Sequence, residues 1–105
     1  MLPYDEHSPT YDLQRLQWLV GQGTTTCRVT DAALSGGEAV GMDRSAVIAT
    51  VLSLEPGDFH KTMEADLCPG LWQDVYHHRV DELELYIKLQ VDHTGRAVVI
   101  QFKQR

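Results

Sequence analysis

The chain is short of cysteine, of basic residues and of long apolar stretches, and each shortage closes off a class of protein. Its two cysteines, Cys27 and Cys68, follow no framework spacing. Two thiols could close one bridge, but no disulfide scaffold can be built from them; free thiols in a reducing cytoplasm are expected. No apolar run nears the ~20 residues a membrane span needs, and no signal peptide is read, so a protein without a membrane is expected. Nine basic residues stand against fifteen acids, a net charge of −6. That balance argues against a general nucleic-acid footprint. Gly36-Gly37 lacks the lysine and spacing of a phosphate loop. The acids are too scattered for a paired-carboxylate hydrolase, and no serine or cysteine triad is visible. The histidines and Cys68 show no closed four-ligand spacing, so no metal is expected. His77 and His78, as strand neighbours, point to opposite faces and do not share one ion.

The 105 residues, 43% hydrophobic, suffice for one domain spanning 1–105 with its own core. The charge is uneven. Residues 1–58 carry three arginines against eight acids, whereas residues 59–105 carry six basic residues, seven acids and four of the five histidines. The acidity belongs mainly to the first half, which reads as helical. Ser8-Pro9 looks like a cap and first-turn proline. Leu13, Leu16, Leu19 and Val20 then recur at helical spacing, and Gly21-Gln22-Gly23 ends the helix. Residues 24–29 are β-prone, an edge strand or linker. Asp31 reads as the cap of a short second helix through Leu34, with a break expected at Gly36-Gly37 or at Gly41. Asp43 caps a third helix whose stripe is Val47, Ile48, Val51 and Leu52. Residues 55–58 form a turn. Strands are expected over 59–63 and 71–76, separated by a loop over 64–69, and then in a hairpin.

That hairpin carries the sharpest signal. Residues 84–91 alternate strictly, with Leu85, Ile87, Leu89 and Val91 on one side and Tyr86, Lys88 and Gln90 on the other. A second run covers 97–103, after a turn containing Gly95. With Thr94 and Gly95 at the turn centre, Leu89 faces Ile100, Val91 faces Val98, Ile87 faces Phe102, and Tyr86 faces Lys103. Opposed side chains have Cβ atoms about 5 Å apart, so a phenol and an ammonium should meet on the polar face. Three helices followed by four strands predict an α+β fold with helices on one sheet face.

Taken singly, the candidate groups have ordinary explanations. Lys61, with Phe59 and Met63 read on its own side, serves equally as an edge charge that discourages aggregation. Lys88 and Gln73 suit plain exposure, Lys103 a charged terminus, and Tyr86 an amphipathic strand. His60 or His77 could act as a general base, since imidazole titrates near neutrality. Trp72 and Tyr76 could stack on unpaired bases or equally pack in the core.

Taken together, the strings Leu54-Glu55-Pro56-Gly57-Asp58-Phe59-His60-Lys61-Thr62-Met63, Trp72-Gln73-Asp74-Val75-Tyr76, Leu85-Tyr86-Ile87-Lys88 and Phe102-Lys103 resemble the MqsR (motility quorum-sensing regulator) family of toxins over almost the whole chain. The resemblance implies a RelE-like α+β fold, N-terminal helices packed on one face of a curved, mainly antiparallel sheet. It implies a ribosome-independent, metal-independent endoribonuclease that cuts single-stranded mRNA, a cognate MqsA-like antitoxin, and contact with DNA only through that antitoxin. No cofactor is implied. The family's catalytic positions fall on Lys61, Gln73, Tyr86 and Lys103. His60, Trp72, Tyr76, His77, Arg79 and Lys88 are expected as RNA contacts. His60 stands where the best-known members carry tyrosine, and His77-His78 replaces a basic-proline pair. The competing expectation is a non-catalytic protein of the same fold, kept as antitoxin ligand and transcriptional co-regulator; a small histidine metal domain is a third.

Overall fold

A computed structural model describes residues 7–105. Helix α1 (Leu13–Gly21) is capped by Asp12, whose carboxylate accepts from the Arg15 N–H, and it buries Leu16, Leu19 and Val20. The start expected at Ser8-Pro9 is therefore corrected. The Thr10 and Tyr11 N–H groups donate instead to the Asp74 carboxylate at 3.1 and 2.9 Å, which straps this segment to the sheet.

Strand β1 (Cys27–Val29) leads into α2 (Asp31–Ala39), capped by Thr30. The cap is Thr30, not Asp31, and of the two breaks expected the helix takes the second: it runs through Gly36-Gly37 and ends at Ala39, just before Gly41 at φ 78°. Helix propensity disfavours the Gly36-Gly37 pair, but packing selects it. A Cβ on Gly36 would lie 1.8 Å from the Phe102 carbonyl oxygen, and one on Gly37 would lie 2.7 Å from a Val47 methyl. Only bare backbone lets α2 rest so close to the sheet. Helix α3 (Arg44–Leu52) is capped by Asp43 as read, and it buries Val47 and Val51; Leu52, expected in the stripe, is exposed.

After a 3₁₀ turn at Pro56–Asp58, four strands follow: β2 (Phe59–Ala65), β3 (Cys68–Val80), β4 (Leu83–Val91) and β5 (Ala97–Gln104). The loop expected over 64–69 shrinks to a tight hairpin. Sheet order is β1-β5-β4-β3-β2, with β1 parallel to β5 and the other pairs antiparallel. The helices cover one face, as an α+β fold requires. Leu85, Ile87, Leu89, Val99 and Phe102 pack there against Leu16, Leu19, Ala33, Val47 and Val51. Each fully buried side chain of this size contributes about 1.5–3 kcal/mol.

Two bulges shape the opposite face. In β5 the expected register holds for Tyr86–Lys103 and Ile87–Phe102, then slips; Leu89 faces Val99 and Val91 faces Ala97. The cause is the turn. Residues 93–95 form a three-residue loop closed by the Asp92 N–H donating to the Arg96 carbonyl, with Gly95 at φ 88°. Ile100 becomes the extra residue. In β2 the extra residue is His60, since Phe59 pairs with Tyr76 but Lys61 pairs with Val75. Phe59 therefore turns to the core, where its ring meets Tyr76 edge-on at 5.7 Å. It does not share Lys61's side, as simple alternation had placed it.

Candidate active site

The helix-free face is built from alternate residues of four strands. One row runs His60, His77, Tyr86, Lys103 across β2, β3, β4 and β5. The next runs Lys61, Val75, Lys88, Gln101, and a third runs Met63, Gln73, Gln90, Val98. All four expected catalytic side chains thus lie on one face.

Their contacts are specific. The Lys103 ammonium sits 5.2 Å from the Tyr86 ring centre and that of Lys88 sits 5.8 Å away, so two cations flank one phenol. The Gln73 amide donates to the Gln90 side-chain carbonyl at 3.0 Å, which fixes its orientation. Gln90 is buried, and its role in holding Gln73 was not foreseen, although alternation had put it on this face. The His60 and His77 rings stack at 4.0 Å, and His77 lies 6.0 Å from Tyr86. The bulge is what aims His60 at His77. Partial burial holds the His77 imidazole below its usual pKa, helped by His60 and Arg105; Glu84 opposes this and Lys61 adds to it.

Beside these rows lies a cleft of about 390 Å³ lined by Leu67, Leu71, Gln73, Lys88, Gln90 and Ile100. The β2–β3 hairpin tip forms one wall of it. A larger hollow of about 600 Å³ adjoins it and carries Arg28, His93 and Arg96. Cys68 is exposed at the rim of both, and Cys27 is buried; both are free thiols. Among the described residues, no three His, Cys, Asp or Glu side chains converge as a metal site, and no helix is long and apolar enough to cross a membrane.

Of the expected RNA contacts, His60, His77, Arg79 and Lys88 share this face; the Arg79 Nε also donates to the Asp81 carbonyl. Trp72 and Tyr76 do not. Residues 72, 74 and 76 alternate onto the helix side, where Asp74 holds the N-terminal segment and Tyr76 is only 1% exposed. Base stacking on Tyr76 would require unfolding the core, and Trp72 lies across the sheet from Tyr86. His78 faces the helix side too, with its Nδ1 2.9 Å from Asp58 and its Nε2 3.2 Å from the Ser53 hydroxyl.

The mRNA interferase toxin MqsR of Escherichia coli (strain K12) is 28% identical over 101 residues, which is 96% of this chain and 99% of that protein. The family model described as motility quorum-sensing regulator, toxin of MqsA, matches residues 8–104. The chain belongs to that family of toxins.

Proposed function

We propose that this protein, as one toxin domain over residues 1–105, is an endoribonuclease of the mRNA interferase type. It cleaves single-stranded mRNA in the cytoplasm and is neutralised by a cognate antitoxin. The observation that carries the reading is the Tyr86 phenol between the Lys103 and Lys88 ammoniums, with Lys61 and Gln73 on the same open face. RNA supplies its own nucleophile. Its 2′-OH attacks the neighbouring phosphate and leaves a 2′,3′-cyclic phosphate and a 5′-OH, so the protein has only to move two protons and stabilise phosphate charge. Lys61 and Lys103 bind the phosphate oxygens in the transition state. Tyr86 gives its proton to the departing 5′-oxygen. Gln73, oriented by Gln90, holds a sugar or phosphate oxygen. The cleft between Leu71, Ile100 and the paired glutamines suits an unpaired base, with apolar walls and amide edges. No step needs a metal.

The acidic net charge does not oppose this, because the acid surplus sits on residues 1–58 while Lys61, Lys88, Lys103, Arg28 and Arg96 lie on or beside the sheet face. The same surplus favours a second reading, a non-catalytic antitoxin ligand. Incubation with a long unstructured RNA in excess chelator separates them. Fragments ending in cyclic phosphate are expected, and Lys61→Ala and Tyr86→Phe each slow their release by about 10²-fold or more. Intact RNA, or cleavage that vanishes with chelator, overturns the proposal.

A further inference from the structure

We propose that His77, stacked on His60 and set beside Tyr86, is the general base that takes the 2′-OH proton. This rests on the ribonuclease reading above.

Position comes first. Lys61 and Lys103 lie on strands three spacings apart, about 14 Å at the usual strand separation. A phosphate held between their ammoniums lies over β3 and β4, and the side chains beneath it in the first row are His77 and Tyr86. Attack and departure are in line at phosphorus, so base and acid must stand on opposite sides of it. The imidazole and the phenol, 6.0 Å apart, flank that position. With Tyr86 on the departing side, His77 is on the attacking side.

Availability comes second. Among the described residues, neither His77 ring nitrogen has a hydrogen-bond partner, whereas both nitrogens of the neighbouring His78 are taken by Asp58 and Ser53. The His60 ring fixes the plane of His77 by stacking and leaves its edge free. Protonation state comes third. His60 and Lys61 act on the ring from β2 and Arg105 from the C-terminal end, while Glu84 on β4 opposes them; the phenol of Tyr86 stands beside it, with Lys88 and Lys103 over the Tyr86 ring. Burial comes first, and with these charges it holds the imidazole below its usual pKa and so ready to accept a proton. A lysine in the same role would first have to lose one.

The step balances. The 2′-oxygen bonds to phosphorus as its proton passes to His77, and the P–O5′ bond breaks as the Tyr86 phenol protonates O5′. Solvent then returns both groups to their starting states.

The test is a kcat and KM profile from pH 5 to 9 on a short RNA, and on the same RNA with sulfur replacing the bridging 5′-oxygen, a leaving group that needs no proton. Wild-type kcat should fall tenfold per unit below a limb lying under the free imidazole value. His77→Gln should lower kcat about 10²-fold or more on both RNAs, erase the limb, and leave KM within about threefold. The sulfur substrate should rescue Tyr86→Phe but not His77→Gln. His60→Gln should move the limb upward, because His60 is one of the groups that lower the His77 pKa. Added imidazole should restore His77→Ala. The assignment is overturned if His77→Gln keeps the limb, or changes KM alone, while wild type cuts. If wild type cuts neither RNA, the ribonuclease reading itself falls, and the base with it.

Discussion

Replacing Gly36 by alanine tests the contact that seats α2 on the sheet. In an exposed helix the change is stabilising by about 1 kcal/mol, because glycine surrenders more backbone freedom. Here the added methyl meets the Phe102 carbonyl oxygen at 1.8 Å, its carbon at 2.9 Å and the Lys103 Cβ at 3.3 Å. The obstruction is backbone pinned in the β4–β5 ladder, so no side chain can swing aside. The helix must retreat by more than 1 Å before the contact becomes an ordinary one. A gap of that size forfeits roughly a quarter to a half of each lost dispersion contact, and overpacking costs about 1–3 kcal/mol. With the propensity gain set against a clash at the upper end of that range, the net is about 2 kcal/mol of destabilisation, which lowers Tm by roughly 10 °C. Urea titration measures it, and Gly21→Ala is the control. Its methyl would touch only Leu52 methyls at 3.7 Å, so it should gain up to about 1 kcal/mol. A Gly36→Ala protein as stable as wild type would refute the packing account. Displacement transmitted to Lys103 should also slow RNA cleavage.

Asp74→Ala strands the Thr10 and Tyr11 N–H groups, at about 1–3 kcal/mol for each one left unsatisfied, so a loss of about 3 kcal/mol is expected in urea titration. Tyr76→Phe removes a buried hydroxyl that has no hydrogen-bond partner among the described residues, and it should leave stability unchanged or raise it by about 1 kcal/mol; a loss larger than that would contradict the orphaned geometry. The Thr94 hydroxyl, with the Thr94 and Arg96 N–H groups, holds the Asp92 carboxyl at about 2, below its usual 3.8. Stabilisation from that turn is therefore complete above pH 3.8 and lost as pH falls through about 2. Asp92→Asn should melt below wild type at pH 6 and converge with it near pH 2.

The hairpin was the most readable part of the chain. Strict alternation over residues 84–91 placed Tyr86 opposite Lys103, and it did so because one face is buried and a slip would be costly. The same counting failed nearer the turn. Ala97 to Ile100 are apolar on both sides of the strand, so nothing in them marks the bulge at Ile100. Asp43 was legible as a cap because its role is local. Of the two breaks offered for α2, Gly41 was the right one and Gly36-Gly37 the wrong one, because helix propensity says nothing about a strand passing close by. Trp72 and Tyr76 were within reach: once Gln73 is assigned to the site face, its neighbours at odd separation belong to the other. The imidazole stack was out of reach, since it depends on one surplus residue in β2 that no periodicity announces.

That surplus residue has a practical consequence. Position 60 lies outside the one-to-one pairing of its strand, so its side chain can be exchanged without dragging neighbouring residues to the wrong side of the sheet. It is a replaceable fitting pressed against a titrating ring. Engineering the acidity range in which such a toxin works would begin there, with the scaffold left untouched.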